Sequence, residues 1–237
     1  MLKRPIRRLL STNSAGGSVS VQVSVVPMTS DLIRLWMQKV QPLINANYQH
    51  SGPAVSNARM IRADVGWNWG TNLWLAKGHS VSAPARGSGP AVAMCLVVHP
   101  QRAPAFPIGM LTAVPLFNCA VHAVSRPRGF AWYLADAPKE AYQQVLKTNA
   151  VKGVAGALVD CSIQATGDVG SDMMHLLHAD PNGGNKLESF YIKCGMVQLP
   201  ANHGPITPLL RRSRPQEYFH FDHAGALGYS QGYDVLR

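Results

Sequence analysis

Three apolar segments in close succession constrain this 237-residue chain more than any other feature: Ala91 to Val98, Ile108 to Val114 and Phe130 to Ala135. Each has the length of a buried strand and is bounded by Pro-rich or Gly-rich turns, which predicts an antiparallel meander. The longest unbroken apolar run, Ala91 to Val98, falls well short of the roughly 18 to 20 residues a spanning helix needs, so no membrane partner is expected.

Before the meander, β-branched residues alternate with polar ones from Val19 to Val26, as in a strand. Thr29 and Ser30 are candidate caps for a helix in which Leu32, Leu35, Trp36, Lys39, Val40 and Leu43 recur at helical spacing. Asn72 to Lys77 reads as a short strand and Ser80 to Pro90 as a loop. After the meander, Pro138 to Ala150 can form a helix. A second helix follows, with Val154, Ala157, Leu158, Cys161 and Ala165 on one face. Met173 to His178 reads as a strand, Leu187 to Cys194 as a helix stopped by Gly195, and Tyr218 to Phe221 as a last strand.

With 46% apolar and 14% charged residues the chain has material for a large core, which excludes a disordered tail protein. Its net charge of +10 favours an anionic partner, whether nucleic acid, a lipid surface or a phosphorylated cofactor. Cys95, Cys119, Cys161 and Cys194 are widely spaced in apolar segments, the pattern of buried free thiols in a reducing compartment. Residues 1–18 carry Lys3, Arg4, Arg7 and Arg8 without an acid and read as a flexible basic arm before a single domain at 19–237. A transit peptide has similar composition, but Pro5 interrupts the helix it would form, and a cytoplasmic location is the expectation.

Two segments carry chemistry. In Lys152-Gly153-Val154-Ala155-Gly156-Ala157, small residues open a helix and leave its first N–H groups uncovered, as a phosphate site requires. Close helix packing calls for the same residues. Walker A and the dinucleotide fingerprint are excluded, since neither Gly-Lys-Ser/Thr nor Gly-x-Gly-x-x-Gly stands in the right setting. The second segment, His-Ala-Asp-Pro-Asn-Gly-Gly at 178–184 followed by Phe190-Tyr191 and Gly195-Met196, runs strand, Gly-rich turn, helix and Gly.

Together these segments resemble the GNAT superfamily of acyl-CoA-dependent N-acyltransferases, particularly bacterial members that read His-Ala-Asp-Pro-x-Gly-Gly before that helix. The resemblance covers about residues 129–200, and the order β-α-β-β-β-α-β-α-β extends it over nearly the whole chain. It implies an α/β fold whose central sheet is mixed but mainly antiparallel and flanked by helices. It also implies acetyl-CoA (coenzyme A) as donor, an amine as acceptor and no metal, and it leaves room for a homodimer. The cofactor would lie against Leu134, Ala135, Val151, Lys152, Gly153, Val154, Ala155 and Gly156, with the oxyanion held by a backbone N–H near Leu134 or Ala135. Three departures stand out: Ala150 occupies the first loop position, Asp136 to Ala150 intervenes between strand and loop, and Gly184 stands where the family has an Asn.

The resemblance assigns Tyr191 the protonation of the leaving thiolate, although a core aromatic fits the same spacing. His178 is a candidate base for an ammonium substrate, or a residue that holds the turn. His175 and His178 lie an odd number of residues apart on a strand and make a poor metal pair. Asp64, Trp67 and Trp69 are candidates for a cationic amine pocket, or for core packing. The rivals to an acyltransferase are a GNAT-like protein that binds without catalysis and a basic nucleic-acid-binding module. The second has only the +10 charge in its support, since no strand interleaves aromatics with Lys and Arg; the run Arg211, Arg212 and Arg214 reads as a solvated loop, or as a contact for adenosine phosphates or a nucleic acid.

Overall fold

The computed structural model describes residues 2–13, 16–52, 60–101, 104–121, 124–170, 180–199 and 218–237, and the backbone of 175–178. The elements run β1 (Arg8–Thr12), β2 (Ser18–Pro27), α1 (Ser30–Lys39), α2 (Gln41–Asn47), β3 (Tyr48–Gln49), β4 (Met60–Ile61) and α3 (Trp69–Ser82). They continue with β5 (Val92–Val98), β6 (Phe106–Val121), β7 (Val124–Asp136), β8 (Val151–Lys152), α4 (Val154–Asp168) and β9 (His175–His178). The chain closes with α5 (Gly184–Lys193), β10 (Val197–Gln198), β11 (Tyr218–Phe221) and α6 (His223–Gln231).

Among the described residues one sheet has the order β10-β11-β9-β7-β6-β5-β2-β1-β8. Its pairs are antiparallel except β7 with β9. This is the mixed, mainly antiparallel α/β architecture expected of a GNAT-like domain. The meander β5-β6-β7 is present, with β6 and β7 longer at their shared hairpin than their apolar centres indicated. Buried Arg128 fastens that hairpin by donating to the carbonyl oxygens of Cys119 (2.6 Å) and Val124 (3.0 Å). The parallel pairing of β7 with β9 needs a crossover, and α4 supplies it. Gly109 of β6 makes room for this helix: a Cβ there would stand 3.0 Å from both Val154 Cγ1 and Leu158 Cδ1.

Several expectations are corrected. The N-terminal segment is no flexible arm, because Leu2, Ile6 and Leu9 are buried and Arg8–Thr12 pairs with both β2 and β8. Each such side chain contributes roughly 1.5–3 kcal/mol on full burial, enough to dock the arm despite its charges. The strand expected at Asn72–Lys77 lies inside α3, which Asn68 starts by accepting from Thr71 N at 3.1 Å. The helix expected through Leu43 is two helices, α1 ending at Lys39 and α2 opening with Pro42 in its first turn. The helix allowed within Pro138–Ala150 is a single π-type turn, Ala141–Leu146. All four cysteines are free, and burial raises the Cys95 thiol to about 12. Among the described residues no helix is long and apolar enough to cross a membrane.

Candidate active site

The site begins with a misfit between β7 and its neighbours. Thr112 pairs with Tyr133 and Ala113 with Ala131, so Trp132 is an extra residue on β7, a bulge that bends the strand. Up to Ala131, β7 is bonded in parallel to β9, through Gly129↔His175, Phe130↔Leu176 and Ala131↔Leu177. Beyond the bulge it keeps β6 as a partner as far as Asp136 but has left β9. Alternate backbone N–H groups of this stretch therefore point away from β6 toward open space. One of the neighbours Leu134 and Ala135 must aim its N–H that way.

The opening is a cavity of about 970 Å³, lined on one side by Ala131–Asp136. Gly153–Gly156, the start of α4, and Phe190 and Tyr191 of α5 also line it. Gly153 takes a left-handed conformation (φ 76°), and no side chain caps α4. The first intrahelical bond shown there is Ala157 N to Gly153 O at 2.8 Å, so the N–H groups of Val154, Ala155 and Gly156 lack helical partners and stand at the cavity. Such amides suit an anion. Gly156 has a different reason to be glycine: a Cβ would collide with the Tyr233 hydroxyl and stand 3.0 Å from that of Tyr229. Val151 and Lys152, expected beside the cofactor, pair with Ser11 and Leu10 in the sheet and do not line the cavity.

Tyr191 is buried at the cavity wall, its ring 5.3 Å from that of Phe190 and 5.4 Å from that of Phe219. It is thus both a packed aromatic and a wall residue. His178 closes β9 opposite Tyr218, and its side chain lies outside the described residues, as do Arg211, Arg212 and Arg214.

The opposite wall comes from the loop between β4 and α3. Gln41 Nε2 donates to Asp64 O at 2.8 Å, and Gly66 N donates to Asn45 Oδ1 at 2.8 Å, which anchors the loop on α2. Asp64 and Trp67 line the cavity, and Trp67 meets Tyr133 edge-on at 5.2 Å. Trp69 does not: it is fully buried behind Trp67 and against Trp36, because α3 turns it into the core. Nor is the Asp64 carboxylate available to a cation. Arg62 Nε and Nη2 bond its two oxygens at 2.8 and 2.7 Å. Arg62 also reaches Asp136, donating to its carbonyl oxygen at 2.7 Å and to Oδ1 at 3.0 Å. Burial works against the Arg62 charge, but Asp64 and Asp136 more than restore it, so its pKa is raised. Burial raises the Asp136 carboxyl above its ordinary value, with Arg62 opposing.

Sequence reasoning missed Arg62, Asp136, Thr71, Asn72 and Lys186, all on the cavity wall. Asn68-x-x-Thr71 is a cap pattern that would have placed Thr71 and Asn72 in the first turn of a helix. Nothing local signals Arg62 with Asp136. Among the described residues no group of three or more His, Cys, Asp or Glu could hold a metal.

No family model matches the sequence, and no curated protein is similar to it at a significant level. The chain is similar in shape to several solved structures. One is a Tyr-to-Phe mutant of the AtaT toxin bound to the C-terminus of the antitoxin AtaR and acetyl-CoA (14% identity, 90% of this chain and 97% of that chain, TM-score 0.41). Another is Arabidopsis thaliana NAA60 with acetyl-CoA (12%, 84% and 98%, TM-score 0.42). A third is a GCN5-related N-acetyltransferase from Kribbella flavida (12%, 75% and 34%, TM-score 0.37).

Proposed function

We propose that this protein is an N-acyltransferase that moves an acetyl or other acyl group from coenzyme A to an amine. The observation that carries the reading is that one cavity is lined at once by the open edge of β7, the uncapped start of α4 and the Tyr191 side chain. Coenzyme A fits this wall: the amides of Val154, Ala155 and Gly156 suit its pyrophosphate, and the open edge of β7 suits the amides of its pantetheine arm. When bound, it supplies an acyl group activated as a thioester.

The chain's own groups then have separate tasks. A backbone N–H of Leu134 or Ala135 donates to the carbonyl oxygen as negative charge develops there, typically worth several kcal/mol in a site closed to water. Tyr191 holds a proton for the departing sulfur, and the proton lost by the attacking nitrogen restores the balance. The Trp67 and Tyr133 rings exclude water on the acceptor side.

Native mass spectrometry of the purified protein, with a thiol-release assay on acetyl-CoA and a panel of amines, tests this. Bound coenzyme A and amine-dependent thiol release are expected. A protein that neither retains coenzyme A nor releases thiol contradicts the reading.

A further inference from the structure

Asn72 stands out among the wall residues because its amide nitrogen bonds no group among the described residues. It sits on α3, one turn after the Asn68 cap, with 6% of its surface exposed. Its Nδ2 is buried without a hydrogen-bond partner. Leaving a buried amide unpaired typically costs about 1–3 kcal/mol, and an apolar side chain of the same shape would avoid that cost. Asn72 nevertheless borders the cavity, beside Thr71 and on the side of Trp67, whose ring meets Tyr133 edge-on. The guanidinium on this side, Arg62, is already engaged by Asp64 and Asp136, and the other lining ammonium, Lys186, belongs to α5. What the wall offers a ligand is therefore an uncharged amide next to aromatic rings.

We infer that Asn72 recognises the acceptor, and that the acceptor is an amine carrying a neutral carbonyl or amide oxygen close to its nitrogen on an apolar or aromatic body. The inference rests on the acyltransferase reading and adds the chemical class of its second substrate. An amide oxygen entering the cavity accepts from Nδ2 after a simple turn of the side chain, and the amine is left free to attack.

Two probes differ only in the relevant group, L-phenylalaninamide and 2-phenylethylamine. Calorimetric titration of the full chain with each should give at least about tenfold tighter binding of the amide. In Asn72→Leu the ratio should fall below about threefold. Comparing the ratio across the two proteins removes the difference in basicity of the probes. The melting temperature of Asn72→Leu should stay level or rise, since a buried unpaired amide has been replaced by a well-packed side chain. Unchanged discrimination in the variant, binding of neither probe, or a lowered melting temperature would each overturn the inference, the last by showing the amide to be structurally satisfied. Coenzyme A affinity, measured separately, reports on the acyltransferase reading and should be the same in both proteins.

Discussion

The hydroxyl of Tyr229 donates to the carbonyl oxygen of Gly156 at 3.1 Å, so α6 braces from behind the same turn of α4 whose amides face the cavity. Tyr233 lies beside it, the two hydroxyls 3.2 Å apart. Gly156→Ala should therefore destabilise the protein by about 1–3 kcal/mol through overpacking, against the helix propensity that favours Ala. Tyr233→Phe in the same chain removes the hydroxyl that the new Cβ meets and should recover most of the loss. Denaturant midpoints of the single and double variants check this coupling.

Tyr191→Phe keeps the ring between Phe190 and Phe219 and removes the proton. Turnover should fall roughly 10²-fold while acyl-CoA affinity and melting temperature change little. Normal turnover with lowered stability would retire Tyr191 as the acid and leave it a packing residue.

Arg62→Met leaves the nearly buried Asp64 carboxylate, 6% exposed at its side chain, and Asp136 without their cation. Breaking such a pair from one side typically costs about 3–5 kcal/mol. Asp136 already has a raised pKa in the folded protein. A group of this kind contributes stability below its unfolded pKa and loses it as pH rises through the folded value. Without Arg62 that folded value climbs further, so the variant should regain melting temperature relative to wild type as pH falls from neutral toward about 5. A constant difference across that range would contradict the account.

How much of this was legible in the sequence follows from the range of the forces involved. The meander and the α4 face were readable because Val92–Val98 and Val154–Ala165 bury side chains in local patterns, and Gly195 ends α5 with a φ of 89° as a C′ glycine does. The α3 helix was misread because apolar residues surround it: Leu73, Trp74, Leu75 and Ala76 are consecutive, and Trp74 is 70% exposed, so helical periodicity is blurred. β1 was hidden because Arg7 and Arg8 directly precede Leu9 and mask it, and its partner β8 lies far along the chain. On the cavity wall stand Tyr191, Gly153 and Ala155, which the sequence singled out in motifs, and Trp67, which it singled out in an aromatic segment. Arg62 with Asp136, the bulge at Trp132 and the unpaired Asn72 exist only once distant segments meet.

The central claim is that the first turn of α4 binds the phosphates of coenzyme A, and Ala155→Glu tests it most directly. Ala155 is partly exposed at the second position of the helix, where a carboxylate interacts favourably with the helix dipole by about 0.3–1 kcal/mol. The same carboxylate would face the pyrophosphate, and like-charge juxtaposition costs several kcal/mol. Calorimetric titration with coenzyme A should show binding by wild type and a loss of at least about tenfold in Ala155→Glu, with melting temperature unchanged or raised. Equal affinity in the two folded proteins would place the cofactor elsewhere and contradict the account.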